Sequence, residues 1–311
     1  MILVAGSANL DFVVTAPHIP APGETVLGHR FTTYPGGKGA NQAVACARAA
    51  AAPTHMLLAL GQDPFAQPLE ASLTEAGVQM HIVRSREHAT GTAFICVSDD
   101  AENAITVAPG ANQALSPADL PPLKGFSHLL MQLETPLETV TAYAAQARAA
   151  GVRVVLNAAP AQALPAGLLS QLDILIVNQG ELAQVADCQG SVAACLERLS
   201  TVPTVVVTLG SQGCCARTAE GLLVQAAFPV TPVDTTGAGD TFCGVLVAAL
   251  GRGEPLAQAL RQASAAGALA CTRAGAQSSI PTPAEITELL RHSQENTPER
   301  QAAVRAVCGL A

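Results

Sequence analysis

The chain has 311 residues, 49% of them hydrophobic and 13% charged, enough to bury a large core as one big domain or two smaller ones. A formal net charge of -8 argues against a nucleic-acid or anionic-membrane surface, so an anionic substrate needs a locally positive site. No uninterrupted apolar stretch reaches the length of a membrane span, and residues 1–6 lack the basic lead and the length of a signal peptide. The nine cysteines are scattered without a C-x-x-C pair, which predicts reduced core thiols in a cytoplasmic protein, and the seven histidines show no metal-ligand spacing.

In chain order, strand-like apolar runs at 2–5, 56–60, 129–132, 152–156, 174–177 and 205–209 alternate with alanine-rich helical runs at 41–50, 64–76, 136–150, 181–186 and 192–199. Further helices are predicted at 238–250, 256–272 and 283–291. Strands that are apolar throughout are covered on both faces, which predicts an α/β fold of three layers, α/β/α, around a mainly parallel central sheet. Two segments break the rhythm. Segment 12–34 carries Val13-Val14 and a second extended stretch, 26–34, around a Pro/Gly-rich turn; segment 92–107 carries 93–97 and 104–107 around the polar turn 99–103. Both read as β-hairpins, able to pair as one small β-sheet lid over the ligand edge and to exclude water during a transfer. The domain spans 1–292, and the tail 293–311 is polar, then weakly helical, with no assigned role.

The segment Asp234-Thr235-Thr236-Gly237-Ala238-Gly239-Asp240-Thr241 runs into the apolar stretch 245–250 and reads as a loop ending on a helix N-terminus. Free amides and the helix dipole there favour an anion, and Gly237 and Gly239 allow a ligand close to the backbone. Asp240 would repel a resting phosphate but can take a proton from an attacking hydroxyl. Nest and base together suit phosphoryl transfer to an alcohol, although in isolation the same residues describe an ordinary helix cap. The second informative segment is Gly36-Gly37-Lys38-Gly39-Ala40-Asn41-Gln42-Ala43. It is not a Walker A loop, since Gly39 stands where Ser or Thr is required, and no G-x-G-x-x-G occurs in the chain. It reads as a glycine-rich turn that exposes backbone amides, Lys38 and Asn41 as donors to a polyol, or more simply as a tight turn into a buried helix.

Asn9 and Asp11 alternate in register after the first strand and suit adjacent sugar hydroxyls, unless they only mark a polar strand end. Glu134 closes the apolar run 129–133 in the same way. Asn178 and Glu181 open a helix after a strand, where a carboxylate can order Mg²⁺ through water. Thr208-Leu209-Gly210-Ser211-Gln212-Gly213 is a small-residue loop able to cradle nucleotide phosphates.

The two glycine segments resemble the two signature motifs of the ribokinase-like (phosphofructokinase B) carbohydrate kinases. Pro22-Gly23-Glu24-Thr25-Val26, Met131-Gln132-Leu133-Glu134 and Asn178-x-x-Glu181 match in the family's order, and the likeness runs from residue 4 to residue 281. The resemblance implies ATP-dependent phosphorylation of D-ribose at O5, with Asp240 as general base and the amides of Gly237, Ala238, Gly239 and Asp240 as anion hole. It implies that Asn9, Asp11, Gly37, Lys38, Asn41 and Glu134 hold ribose. ATP would be held by Asn178, Thr208, Gly210, Ser211, Gly213, Gly239 and Ser264, and Mg²⁺ through water by Glu181. An activating K⁺ would be held by Asp234, Thr236, Ala270, Arg273, Gly275 and Ser279, mostly through backbone carbonyls. It also implies a homodimer clasped through the lid. A nucleoside acceptor is disfavoured by 3% aromatic content and no Trp, with Phe12, Phe31 and Tyr34 in the lid the remaining stacking candidates. A sugar-binding regulator without activity is disfavoured by the intact Asp240.

Overall fold

The computed structural model describes residues 1–100 and 102–309, so Ala101 of the predicted lid turn and the last two residues of the tail lie outside the described residues. The strands in chain order are β1 (Ile2–Ala5), β2 (Asn9–Ala16), β3 (Arg30–Gly36), β4 (Thr54–Leu60), β5 (Gln79–Arg84), β6 (Gly91–Ser98), β7 (Asn103–Ala108), β8 (His128–Met131), β9 (Arg153–Asn157), β10 (Ile174–Asn178), β11 (Thr204–Thr208), β12 (Gly213–Thr218) and β13 (Gly221–Ala226). The helices are α1 (Lys38–Val44), α2 (Ala66–Glu75), α3 (Leu137–Ala149), α4 (Ala166–Leu169), α5 (Gln179–Val185), α6 (Val192–Arg198), α7 (Ala238–Gly251), α8 (Leu256–Ala270), α9 (Pro283–His292) and α10 (Pro298–Val307).

A nine-stranded sheet runs β13-β12-β11-β10-β9-β8-β1-β4-β5. Every pairing from β11 to β5 is parallel, and β12 and β13 add an antiparallel hairpin at one edge. Strand residues alternate between two cores, as a period of two requires. Val4, Leu58, Leu130, Ile176 and Val206 join one core with Ala40 of α1, Val245 of α7 and Leu260 of α8. Leu3, Leu57, Leu129, Leu175 and Val205 join the other with Val140 of α3, Leu182 of α5, Leu196 of α6 and Val304 of α10. The result is the expected three-layer α/β/α fold with a small second sheet, order β3-β2-β6-β7, in which two antiparallel hairpins are joined by parallel pairing of β2 with β6.

Several boundaries differ from the sequence expectations. The second lid strand starts at Arg30, since residues 26–29 are irregular. The first helix begins at Lys38, before the alanines, and its last turn widens into a π-turn at Ala45–Ala49. Strand β5 and the β12–β13 hairpin carry no apolar run longer than three residues and escaped the pattern. The tail forms α10, capped by Thr297 and docked through buried Val304 and Cys308. No helix among the described residues is long and apolar enough to cross a membrane.

Candidate functional site

Asp240 sits in the first turn of α7, a helix whose residues 240–249 are all buried. Its setting follows from a close helix contact. Gly244, one turn further along the same face, lets α1 approach: a Cβ there would lie 2.6 Å from the Gln42 carbonyl. Asp240 therefore meets α1 side chains. Asn41 Nδ2 donates to its Oδ2 at 2.9 Å and Gln42 Nε2 to its Oδ1 at 2.9 Å. Gln42 also donates to Asn157 Oδ1 at 3.0 Å and accepts from Gln132 Nε2 at 2.6 Å, while Asn41 Oδ1 accepts from Gln277 Nε2 at 3.1 Å. A sheath of buried amides thus fixes the carboxylate. Gln42, Gln132, Asn157 and Gln277 were missed in the sequence.

Gly237 caps α7 with φ +72°, and a Cβ on it would come within 2.8 Å of Ala276, so both the left-handed backbone and the contact require glycine. The anion nest is smaller than expected. The Ala238 amide leans on the Thr235 carbonyl at 3.3 Å, whereas those of Gly237, Gly239 and Asp240 have no acceptor among the described residues.

The turn before α1 does not expose its amides as the sequence suggested. Lys38 N donates to Glu134 Oε2 at 3.1 Å, Gly39 N to Ser7 Oγ at 3.2 Å and Ala40 N to the Ser7 carbonyl at 2.8 Å, and Ser7 Oγ in turn donates to Glu134 Oε2 at 2.5 Å. Gly39 has no room for a side chain, because a Cβ would sit 2.6 Å from Ser7 N. Glu134 and Ser7 therefore lock this turn onto the end of β1. Gly37, at φ +89°, packs equally tightly on Ala8 and Asn9. Asn9 is buried with its Oδ1 accepting from Asn112 Nδ2 at 2.7 Å. Asp11, two residues on, lies against Gly36, and burial, with help from the Glu134 and Asp240 charges, pushes its carboxyl up to about 7. The Lys38 ammonium is held above its ordinary range, first by Asp240 against the opposing cost of burial, then by Glu134 and Glu181. It is a positive group set among the carboxylates of Asp240, Glu134 and Glu181.

At the start of α7, beside Gly239, lies a cleft of about 380 Å³ that gathers Thr208, Gly210, Ser211, Gly213, Gly239 and Ser264 with the apolar Phe228, Pro229, Val230 and Phe242. Asn178 and Glu181 form a reciprocal cap on α5: Asn178 Oδ1 accepts from Glu181 N at 2.8 Å, and Glu181 Oε2 from Asn178 N at 2.8 Å. Glu181 Oε1 has no hydrogen-bond partner among the described residues, and burial raises this carboxyl although the Asn178 amide and Lys38 oppose it. A single free carboxylate oxygen at this helix start could hold Mg²⁺ through water.

The loop 233–236 docks on the segment after α8, with Val233 N and Asp234 N both donating to the Cys271 carbonyl. Asp234 accepts from Thr236 N and Gly275 N, each at 2.9 Å; against the cost of burial, these amides hold its carboxyl below the usual range. Arg273 turns its side chain away to pair with Glu285, Ser279 is fully buried, and the Ala270 carbonyl accepts from Arg273 N at 3.3 Å. The six residues expected around a monovalent cation thus lie on two adjoining segments. Among the described residues no group of three or more His, Cys, Asp or Glu is placed to hold a metal.

Residues 1–283 match the pfkB family carbohydrate kinase. Over 303 residues the chain is 40% identical to the ribokinase of Haemophilus influenzae, covering 94% of this chain and 99% of that one. Among solved structures it is similar to the ribokinase of Thermotoga maritima, with TM-score 0.88 and 33% identity over 94% of this chain and 99% of that one. The Arabidopsis thaliana ribokinase, solved with ribose and ATP, superposes with TM-score 0.87 at 31% identity over the same shares.

Proposed function

Since the chain belongs to the pfkB family of carbohydrate kinases, we propose that it transfers the γ-phosphoryl group of ATP to O5 of D-ribose, giving D-ribose 5-phosphate and ADP. The observation that carries this reading is the position of Asp240, in the helix turn whose Gly239 lines the cleft with Thr208 and Ser211 and close enough to Asp11 and Lys38 for its charge to act on both. Relatives named ribokinase at up to 40% identity support the choice of sugar.

In the proposed reaction Asp240 takes the proton of the ribose 5-hydroxyl. The resulting oxygen nucleophile attacks the γ-phosphorus in line, and ADP leaves. The free amides of Gly237, Gly239 and Asp240, with Lys38, offset the charge on the transferring group. Asn9 and Asp11 hold sugar hydroxyls from β2. Glu134 acts one step back, holding the Gly37–Gly39 turn in place. Asn41 contributes by holding Asp240. Mg²⁺ bound with ATP would supply further charge neutralisation, and Glu181 would hold it through water. K⁺ near Asp234 would stiffen the loop that carries Gly237. We place the reaction in the cytoplasm, where ATP is supplied, and in a homodimer formed through the lid.

Comparing kcat/KM for ribose, fructose, adenosine and pseudouridine tests the assignment. Ribose should be preferred, because a site built on buried polar groups rejects analogues that lack a hydroxyl. Tenfold preference for any of the other three would move the chain to another branch of the family.

A further inference from the structure

The C-terminal segment lies beyond residue 283, where the family match ends, and it backs the strand end that walls the cleft. After β13 the chain forms one wall of that cleft through Ala227 and Phe228. The inner side of this wall is tied to the cleft's other loop, with Ala227 N donating to the Gln212 carbonyl at 3.3 Å. Its outer side is tied to the tail. Ala226 N donates to Asn296 Oδ1 at 3.0 Å, Asn296 Nδ2 to Gln225 Oε1 at 2.8 Å, and Arg300 Nη2 to the Ala227 carbonyl at 2.8 Å. Behind Phe228, Arg261 of α8 has its guanidinium carbon 5.9 Å from the ring centroid and makes two hydrogen bonds, 2.6 and 3.2 Å, to Glu295. Glu295 is 1% exposed, so this pair is as much a part of the wall's backing as the apolar contacts are.

The tail's geometry is set by α10. Thr297 caps it, which places Arg300 in the first turn, and buried Val304 and Cys308 pin the helix to the sheet. None of residues 293–309 lines the cleft; they reach it through Gln225 to Phe228. The cleft is apolar on the side of Phe228, Pro229 and Val230 and glycine-rich near Gly239, a polarity that orients a nucleotide with its base toward Phe228 and its phosphates toward α7.

We propose that Asn296 and Arg300 are positioning residues for the base of the nucleotide, holding the 226–228 wall so that Phe228 presents a fixed face. This inference rests on the kinase reading above. Sugar binding is separate, since Asn9, Asp11 and Lys38 receive no hydrogen bond from the described residues of the tail.

The test uses the full-length protein and its variants Asn296→Ala, Arg300→Ala and Arg300→Lys, with KM for ATP and for ribose, kcat, the Kd of ADP by calorimetry, and Tm for each. Arg300→Ala, which loses one hydrogen bond to a structured carbonyl, and Asn296→Ala, which loses two to the strand before it, should each raise KM for ATP and Kd for ADP by about 5- to 30-fold. KM for ribose and kcat should stay within about twofold of the wild type on the same scale. Arg300→Lys keeps a donor for the Ala227 carbonyl and should recover most of the ATP affinity. Unchanged nucleotide constants in both alanine variants, with a wild type that binds ADP normally, would overturn the proposal and leave the kinase reading standing. A parallel rise of both KM values with a lowered Tm would also overturn it, by showing only a general structural role. A wild type that binds no nucleotide would remove the kinase reading and this inference with it.

Discussion

Asp240 and Gln42 differ in what their loss should do. Asp240→Asn keeps shape and removes the proton acceptor, so kcat should fall by at least about 10²–10⁴ while ribose and ADP still bind; more than half the wild-type kcat would sink the assignment. Gln42→Leu leaves the base in place but strips one of its two amide donors and orphans Asn157 Oδ1 and Gln132 Nε2. We expect a Tm loss equivalent to roughly 1–3 kcal/mol and a partial drop in kcat, well short of the Asp240 variant. Asp11 carries a pH signature. In the fold its carboxyl titrates near 7 against an ordinary 3.8, because burial and then the Glu134 and Asp240 charges disfavour ionisation. Between these values the folded chain binds a proton that the unfolded chain has released. The associated stability is complete below about pH 4 and lost as pH rises through about 7. Asp11→Asn should therefore lose less Tm than the wild type between pH 5 and pH 8, with a higher KM for ribose. Parallel melting curves would show that Asp11 does not titrate in this window. These residues also show what a sequence reveals about a site. Asp240, Lys38, Asn9, Asp11 and Glu134 stand out as polar residues at loop and element ends. Gln132 and Gln42 do not, because each lies inside a run whose neighbours are buried, and nothing in the run says that two amides meet across 90 positions.

At the scale of elements, burial on both faces made β1, β4, β8, β10 and β11 legible as unbroken apolar runs. β5 sits at the sheet edge with no fully buried residue, and β12 starts Gly-Cys-Cys-Ala, without the β-branched residues that mark a strand. The contact between α1 and α7 was equally hidden, since Gly244 looks like any small residue in an alanine-rich helix. Gly244→Ala forces its new methyl toward the Gln42 carbonyl and Ala45, so the helices must part. We expect about 1–3 kcal/mol of destabilisation from overpacking and a fall in kcat larger than any change in KM, because Asn41 and Gln42 move away from Asp240. An unchanged kcat would mean that the base keeps its position without this contact. The docking of loop 233–236 on the segment after α8 leads to an ionic expectation. If K⁺ stiffens this junction, replacing KCl by NaCl at constant ionic strength should lower the rate at saturating Mg-ATP and ribose. Equal rates would remove the cation from the proposal and leave Asp240 untouched.

For the whole molecule, the lid is the part whose surface asks for a partner. Strand β7 is exposed at every residue although its sequence is Asn-Ala-Ile-Thr-Val-Ala. Register puts Ile105 and Val107 of β7 on the same face as Val13 and Asp11, by way of Ile95 and Ala93 of β6. On that face Ile105 is 54% and Val107 43% exposed, while Phe31 and Phe94 are 59% and 54% exposed on the opposite one. A four-stranded sheet with apolar residues open on both faces and an apolar edge strand invites pairing with a second copy, since lone sheets of this kind otherwise aggregate. That face also carries Asp11, which we assign to the sugar, so a partner lid there would cover the proposed pocket mouth as well as the apolar residues. Ile105→Glu places a charge in the middle of that face without touching any residue assigned to the sugar or the nucleotide. Sedimentation at micromolar concentration should show a dimer for the wild type and a monomer for the variant. KM for ribose should rise in the variant by about tenfold while KM for ATP stays unchanged, because only the sugar pocket loses its cover. A wild type that sediments as a monomer, or a monomeric variant with unaltered ribose kinetics, would mean that each lid closes its own pocket without help.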